Sequence, residues 1–317
     1  LRRVGYHPHS VLADNLLMIH PQFDPVALAL GPLQIQWYGL MYLAGFAAGL
    51  YLGIWRARKQ SWRGFTPEQV QDLLFYIVVG IIVGGRVGYV LFYNLSEFFQ
   101  NPLYLFRIWE GGMSFHGGFL GVCLAVILFA RKSGKPIFAV GDFVAPLVPP
   151  GIFFGRLGNF INGELWGRPT DVSWGMIFPQ IDGLVRHPSQ LYQMAGEGLG
   201  LFILMWWFSR NPRPRMAVSG LFIVGYGVFR TAAEFFREPD EHLGIRALGF
   251  LTQGMILSIP MILIGILMMV WADRRNVFDT APVVEPSVTG STSASTGKSG
   301  KTSSKKQSGK SGKGKRT

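Results

Sequence analysis

The chain contains a series of apolar runs, each close to the roughly 20 residues that a helix needs to cross a bilayer. Residues 251–272 hold no charged side chain, and residues 70–93 hold only Asp72 and Arg86. Periodicity alone does not separate a membrane span from a buried core helix, but the number of such runs does. A mean hydropathy of +0.28 agrees with them. We therefore predict an all-α, polytopic integral membrane protein.

Seven runs are long enough to be transmembrane helices. We place them at about 33–55, 70–93, 113–130, 137–157, 190–208, 217–236 and 251–272.

The basic residues predict the orientation of these spans. Lys and Arg cluster in residues 56–63, 131–135, 210–215 and 273–276, which fall on one side of a seven-span chain, as do all ten lysines. Cytoplasmic loops carry the excess of Lys and Arg. We therefore expect the N-terminus outside and the C-terminus inside.

Three further parts of the chain are predicted outside the spans. The longest loop, about residues 158–189, faces outward and is long enough to form a subdomain of its own. Residues 1–17 have no clear periodicity, and we interpret them as a poorly ordered upstream extension. The membrane domain then covers residues 18–276, and residues 277–317 form a Ser/Gly/Lys-rich tail that we expect to be disordered.

The net charge of +12 does not indicate nucleic-acid binding. Residues 281–317 hold eight Lys/Arg against one acid, Glu285, and contain no aromatic residue. A nucleic-acid interface would need a structured basic face with aromatic side chains. We predict no nucleic-acid partner and a weak contact between the tail and anionic lipid.

Cysteine and histidine usage does not predict a metal site. Cys123 is the only cysteine, which excludes an internal disulfide, and the six histidines are scattered singly. We interpret Cys123 as a small buried hydrophobe.

Several polar side chains lie inside the predicted spans at one depth, in the outer half of the membrane. They are Tyr38, Arg86, His116, Arg156, Gln190, Glu197, Arg230 and Glu234. Ionisable groups are costly there and mark a functional site or a buried partner. Guanidinium groups bind phosphate in bidentate fashion, so this depth favours a cavity for a phospholipid headgroup.

Structural interpretations remain open for individual residues. Arg230 and Glu234 are one helical turn apart and can form a simple ion pair. The glycines of GGRVG and HGG favour close helix packing. His116 is either a core histidine or a functional one.

Two other classes of function also remain open from the residues alone. One is a transporter or scramblase for anionic lipids or solutes, for which we would expect an inverted repeat that the sequence lacks. The other is a structural or chaperone-like membrane protein, which would not need polar groups from so many spans at one depth.

Residues 155–167 read GRLGNFINGELWG and follow an apolar run. The chain also contains, in order around this stretch, HPQFDPV, WYGLMYL, GGRVGYVLFYN, GGMSFHGG, RHPSQLYQ and YGVFRTAAEFFREPD. Over residues 19–275 these motifs and their order resemble the bacterial prolipoprotein diacylglyceryl transferases.

This resemblance implies an enzyme of the bacterial cytoplasmic (inner) membrane whose active site faces the outer leaflet. Such enzymes transfer the sn-1,2-diacylglyceryl group of phosphatidylglycerol to the lipobox cysteine of a prolipoprotein signal peptide. The product is a thioether, and sn-glycerol 1-phosphate is released. No metal or organic cofactor is implied. We expect a monomer.

The resemblance also implies the site residues. The catalytic candidates are His116, Arg156, Arg230 and Glu234. The candidates for binding phosphatidylglycerol are Arg156, Asn159, Glu164, Gly167, Arg230, Tyr38, Tyr226 and Arg86. The arginines would hold the phosphate, His116 would accept a proton or orient the substrate, and Glu234 would orient Arg230. Cys123 is not the nucleophile, because the reacting thiol belongs to the substrate.

Overall fold

The computed structural model describes residues 18–31, 33–238, 245–247 and 251–279. These residues are mostly helical. The predicted extension, residues 1–17, and the tail from residue 280 onward lie outside the described residues, so the predictions for them stay predictions.

Helices make up most of the described chain. They are α1 (Trp37–Lys59), α2 (Pro67–Tyr93), α3 (Leu95–Gln100), α4 (Phe115–Ser133), α5 (Ile137–Val144), α6 (Val148–Ile161), α7 (Ser189–Gln193), α8 (Leu201–Phe208), α9 (Ala217–Glu234) and α10 (Gln253–Arg275). A π-helical segment, Met194–Gly200, joins α7 to α8, and a 3-10 turn, Ala145–Leu147, joins α5 to α6.

Five helical stretches in the described residues are long and apolar enough to cross a membrane. They are α1, α2, α4, the continuous stretch Ile137–Ile161 and α10. This confirms the prediction of a polytopic membrane protein. The predicted spans at 190–208 and 217–236 are also helical, but the first is divided into α7, the π segment and α8. The number of crossings and their orientation stay predictions.

Short strands are the main departure from the predicted all-α fold. They are β1 (Met18–Ile19), β2 (Val26–Leu30), β3 (Leu33–Gln36), β4 (Met176–Ile177), β5 (Val185–Arg186), β6 (Ile245–Ala247) and β7 (Leu251–Thr252). β2 and β3 form a hairpin before α1, and β6 pairs with β7 before α10. β1 pairs with β4, which pairs with β5, so the sheet ties the start of the described chain to the long loop.

Local chemistry sets the ends of α2 and α4. Thr66 and Gln69 form a capping box at the start of α2, where Pro67 occupies the first turn. Ser114 caps α4 by accepting the Gly117 N–H, and Gly134 ends the helix in the left-handed region at φ 67°.

Glycines bring pairs of antiparallel helices into close contact. A Cβ on Gly88 of α2 would lie 2.7 Å from the Gly117 Cα of α4, and a Cβ on Gly45 of α1 would lie 3.1 Å from the Gly151 Cα of α6. Small residues allow such approaches between membrane helices. The packing interpretation of the glycines in GGRVG and HGG is confirmed.

Cys123 lies on the exposed side of α4, so the prediction of a buried cysteine is wrong. The outward face of a membrane helix is as apolar as a core, so composition does not separate the two locations.

The start of α9, the helix that carries Arg230, is fixed by a side chain from α5. The Asp142 carboxylate accepts the backbone N–H groups of Met216 and Ser219, both at 2.8 Å, and the Ser219 hydroxyl at 2.6 Å. This replaces a local cap, which α9 lacks. The buried Arg56 side chain near the end of α1 donates to Ser209, after α8. Polar contacts therefore join α5 to the start of α9, and α1 to the end of α8.

Candidate active site

Two arginines from different helices converge on one buried carboxylate. Glu197 Oε2 accepts from Arg156 Nη2 at 3.0 Å and from Arg156 Nε at 3.3 Å. Glu197 Oε1 lies 3.8 Å from Arg230 Nη1. The carboxylate is fully buried, whereas the Arg156 and Arg230 side chains retain 18% and 15% exposure. The arrangement offers two partly accessible guanidiniums at fixed positions.

A second carboxylate, Glu234, continues this cluster. Its Oε1 lies 2.5 Å from Arg230 Nη2 and 3.5 Å from Arg237 Nη1. Its Oε2 accepts the Thr252 hydroxyl at 2.7 Å, at the residue that also caps α10. The ion pair between Arg230 and Glu234 thus exists, and it forms part of a wider network rather than an isolated helical pair.

Residues 155–167, the GRLGNFINGELWG stretch, begin in the last turns of α6 and continue into the loop that follows Ile161. Asn162 Nδ2 donates to Glu164 Oε1 at 3.1 Å, and Asn159 Nδ2 lies 3.5 Å from Glu164 Oε2. Gln190 Nε2, fully buried, donates to the Glu164 backbone carbonyl at 2.7 Å. These contacts hold the exposed Glu164 carboxylate beside the buried Asn159.

Gly167 is required by a close approach of three chain segments. Its N–H donates to the His187 carbonyl at 2.9 Å, and a Cβ there would lie 2.5 Å from that oxygen and 2.6 Å from the Phe236 carbonyl. Gly167 also forms an isolated bridge with Arg237. Gly167 therefore joins the loop after α6 to the segment that follows α9.

The two tyrosine candidates lie on helices that pack around this cluster. The Tyr38 ring packs against Gly158, whose added Cβ would lie 2.9 Å from Tyr38 Cδ2, and its hydroxyl lies 3.3 Å from that of Tyr42. Tyr226 lies one helical turn before Arg230 on α9, and its ring stacks on Phe222.

His116 and Arg86 have other surroundings. His116 is exposed at the start of α4, and within the described part of the chain its recorded contact is an edge-on approach to the Phe115 ring. Arg86 is buried and donates to the carbonyls of Tyr104 at 2.6 Å, Leu105 at 3.1 Å and Gly111 at 2.5 Å. No recorded contact among the described residues joins either side chain to Glu197.

The loop beside the site is held by its own charges. Arg186 lies 2.5 Å from Asp182 and 2.9 Å from Glu238, and it donates to the Gly167 carbonyl at 3.0 Å. Hydrogen bonds from Arg186 lower the pKa of Asp182, and the bond to Asp182 raises the pKa of Arg186. Burial lowers the pKa of His187, whose Nδ1 lies 3.1 Å from the Tyr192 hydroxyl.

Sequence reasoning omitted two residues that the structure places at or beside the site. Glu197 was recognised as polar within a span but was not included among the site residues. Its signal was the spacing of Gln190, Gln193 and Glu197, all of which are fully buried. The signal for His20 was its place as the first residue of the HPQFDPV motif. Its Nε2 donates to the Phe160 carbonyl at 2.6 Å, and its ring stacks on Phe178.

Comparison with known proteins agrees with the motifs. The family model for prolipoprotein diacylglyceryl transferase matches residues 25–271. A phosphatidylglycerol–prolipoprotein diacylglyceryl transferase of Cupriavidus pinatubonensis is 60% identical over 263 residues, covering 82% of this chain and 95% of the relative. Proteins with the same name from Oleidesulfovibrio alaskensis and Legionella pneumophila are 60% and 56% identical, covering 81% of this chain and 96% and 100% of the relatives. The chain therefore belongs to the prolipoprotein diacylglyceryl transferase family.

Proposed function

We propose that this chain transfers the sn-1,2-diacylglyceryl group of phosphatidylglycerol to the lipobox cysteine of a prolipoprotein, the first step of lipoprotein maturation. The observation that carries this proposal is the convergence of Arg156 and Arg230 on one buried carboxylate. Two guanidiniums from separate helices offer a fixed set of donors for a phosphodiester. Family membership and the named activity of the relatives support the same reaction.

The reaction is a displacement at carbon. The cysteine sulfur attacks the glyceryl carbon that carries the phosphate ester, and a carbon–sulfur bond forms. The bond between that carbon and the phosphate oxygen breaks, and sn-glycerol 1-phosphate leaves with the electron pair. A base removes the thiol proton, and we assign this role to His116. Arg156 and Arg230 stabilise the charge that develops on the leaving oxygen.

The remaining residues shape the headgroup site. Glu234 orients Arg230 through the contact at 2.5 Å. Asn159 and Glu164 offer an amide and a carboxylate to the glycerol hydroxyls, and Gly167 permits the tight approach of the loop that carries Glu164.

We place Tyr38 and Tyr226 beside the headgroup, because Tyr38 packs against Gly158 of α6 and Tyr226 lies one helical turn before Arg230 on α9. Arg86 is a further headgroup ligand in the sequence prediction. In the structure its guanidinium donates to loop carbonyls instead.

We further propose seven crossings, with the N-terminus outside and the C-terminus inside. The helix ends that carry Arg56, Lys59 and Lys132 are then cytoplasmic. The active site faces the outer leaflet of the bacterial cytoplasmic membrane, and residues 158–189 form the extracytoplasmic subdomain. The partners are the bilayer, phosphatidylglycerol and the prolipoprotein signal peptide, and a monomer contains every residue named for the site.

The test uses purified full-length protein, phosphatidylglycerol and a lipobox peptide. We expect release of glycerol phosphate together with a peptide mass increase equal to one diacylglyceryl group. Arg156→Ala should abolish both signals in protein that still inserts into the membrane. Arg107→Ala is the matched control, because Arg107 forms an exposed surface pair with Glu110.

Two outcomes would contradict the proposal. Activity of Arg156→Ala at the level of the parent protein would remove the phosphate role of that arginine. Binding of phosphatidylglycerol without any product would favour the transporter class. A control peptide with serine in place of the lipobox cysteine should give no product.

A further inference from the structure

Glu197 lies between the two arginines that the proposed function assigns to the phosphate. One oxygen, Oε2, takes both recorded hydrogen bonds from Arg156. The other, Oε1, is buried, has no recorded hydrogen-bond partner among the described residues and faces Arg230 Nη1 at 3.8 Å. A single carboxylate thus connects α6 with α9.

The backbone that carries Glu197 is a π-helical segment inserted between those helices. π-Helical turns are rare and frequently occur at functional sites. The segment contains Gly196, Gly198 and Gly200. Gly198 faces α6, whereas Gly196 and Gly200 face α9. A Cβ on Gly198 would lie 2.8 Å from the Phe153 Cα of α6. A Cβ on Gly196 would lie 3.0 Å from the Phe229 ring of α9.

These contacts place the segment one turn or less from each arginine. Phe153 precedes Arg156 by three residues, and Phe229 is adjacent to Arg230. The glycines therefore set the distance of both helices from the Glu197 backbone, and the carboxylate then fixes the two guanidiniums.

Glu197 works against anion binding. It lies within ion-pair distance of Arg156 and Arg230, the two arginines that the proposed function assigns to the phosphate. A carboxylate beside these guanidiniums reduces their attraction for an anion, so a site built for affinity alone would be stronger without it. The position of Glu197 is better explained by geometry than by binding strength.

We propose that Glu197, delivered by the glycine-flanked π segment, is a positioning residue that sets the separation and orientation of Arg156 and Arg230 for the departing phosphate. This inference rests on the proposed function. Glu197 does not contact the substrate. It acts through the two guanidiniums, which must be aligned before the carbon–oxygen bond breaks.

The test separates binding from turnover in Glu197→Gln. Loss of the negative charge should strengthen inhibition by glycerol 1-phosphate, with an inhibition constant about tenfold lower. Loss of alignment should lower kcat by about 100-fold. A merely structural role would reduce the folded fraction and leave the inhibition constant unchanged. Glu197→Asp keeps the charge but is one methylene shorter, so kcat should fall while the inhibition constant stays at the parent value.

A backbone variant tests the same idea with the carboxylate intact. Gly198→Ala should push α6 away from the π segment and lower kcat, because the new Cβ meets backbone atoms. Gly151→Ala, also on the α6 interface, is the matched control, since a Cβ there meets no atom within 4 Å. We expect full kcat in this control.

The outcomes distinguish this inference from the proposed function. If Arg156→Ala is inactive but Glu197→Gln has parent kcat and parent inhibition, Glu197 is not a positioning residue and the phosphate site stands. A weaker inhibition by glycerol 1-phosphate in Glu197→Gln would also overturn the inference. If Arg156→Ala retains activity, the phosphate site itself fails. Should Glu197→Gln not fold, kcat of Glu197→Asp and Gly198→Ala decides instead: a fall in both supports the positioning role, and parent kcat in both overturns it.

Discussion

A Cβ placed on Gly80 of α2 would lie 2.5 Å from the carbonyl oxygen of Gly121 of α4. The two backbones therefore touch with no room for a methyl group. The same relationship repeats one and two turns along α2, where Gly84 and Gly88 face Gly117. This glycine seam fixes α4, and with it the position of His116 at the start of that helix.

Gly80→Ala should destabilise the protein by separating α2 from α4. Overpacking of a tight interface costs about 1–3 kcal/mol, so the thermal unfolding midpoint in detergent should fall. Gly118→Ala is the matched control on α4, because its Cβ would make an ordinary contact 3.7 Å from the Ile81 carbonyl. Equal midpoints for the two variants would contradict the seam.

The spans were predictable because the length of an apolar run is a physical requirement of the bilayer. Predicted starts at residues 70 and 137 lie within three residues of the observed helix starts, Pro67 and Ile137. The interruption at Met194–Gly200 was not predictable, since glycines in a span also serve ordinary helix packing. The predicted spans that begin at residues 33 and 251 include the strands β3 and β7, because short apolar runs do not distinguish strand from helix.

The clustering of three charged candidates was predictable, but their pairings were not. Arg156, Arg230 and Glu234 lie in one network, as their common predicted depth indicated. Arg86 has the same predicted depth and the same charge, yet it holds a loop. The sequence shows which helix carries a charged side chain. The ion-pair or hydrogen-bond partner of that side chain depends on which loop folds back over the helix. For the same reason Glu197 was seen as a buried polar residue without its two partners.

Arg86→Lys should loosen the loop of residues 104–112. The guanidinium donates to four carbonyls of this loop, and an ammonium group cannot reproduce that fork. We expect the free energy of unfolding to fall by about 3 kcal/mol and hydrogen exchange in residues 104–112 to rise. Arg107→Lys, in an exposed pair, should change neither quantity. A lowered affinity for phosphatidylglycerol with an unchanged loop would instead support the headgroup role.

Mild acid should destabilise the loop that contains His187. Burial lowers the pKa of His187 from 6.5, so the folded state favours the neutral ring. The unfolded chain binds the proton first, and stability is therefore lost as the pH falls from about 6.5 through the lower folded-state pKa. The unfolding midpoint should fall across this window, and the fall should be smaller in His187→Gln, which cannot take up the proton. Identical pH profiles for both proteins would rule out His187 as the source.

His116→Gln should lower turnover without weakening the phosphate site. Loss of a general base typically costs 10²–10⁴-fold in rate. His116 has no recorded contact with Glu197 or the arginines among the described residues, so inhibition by glycerol 1-phosphate should stay at the parent value. Phe119→Leu, an exposed position one turn along α4, serves as the control and should keep full turnover. Full turnover in His116→Gln would remove the base assignment and leave the arginine site intact, because the two rest on different helices.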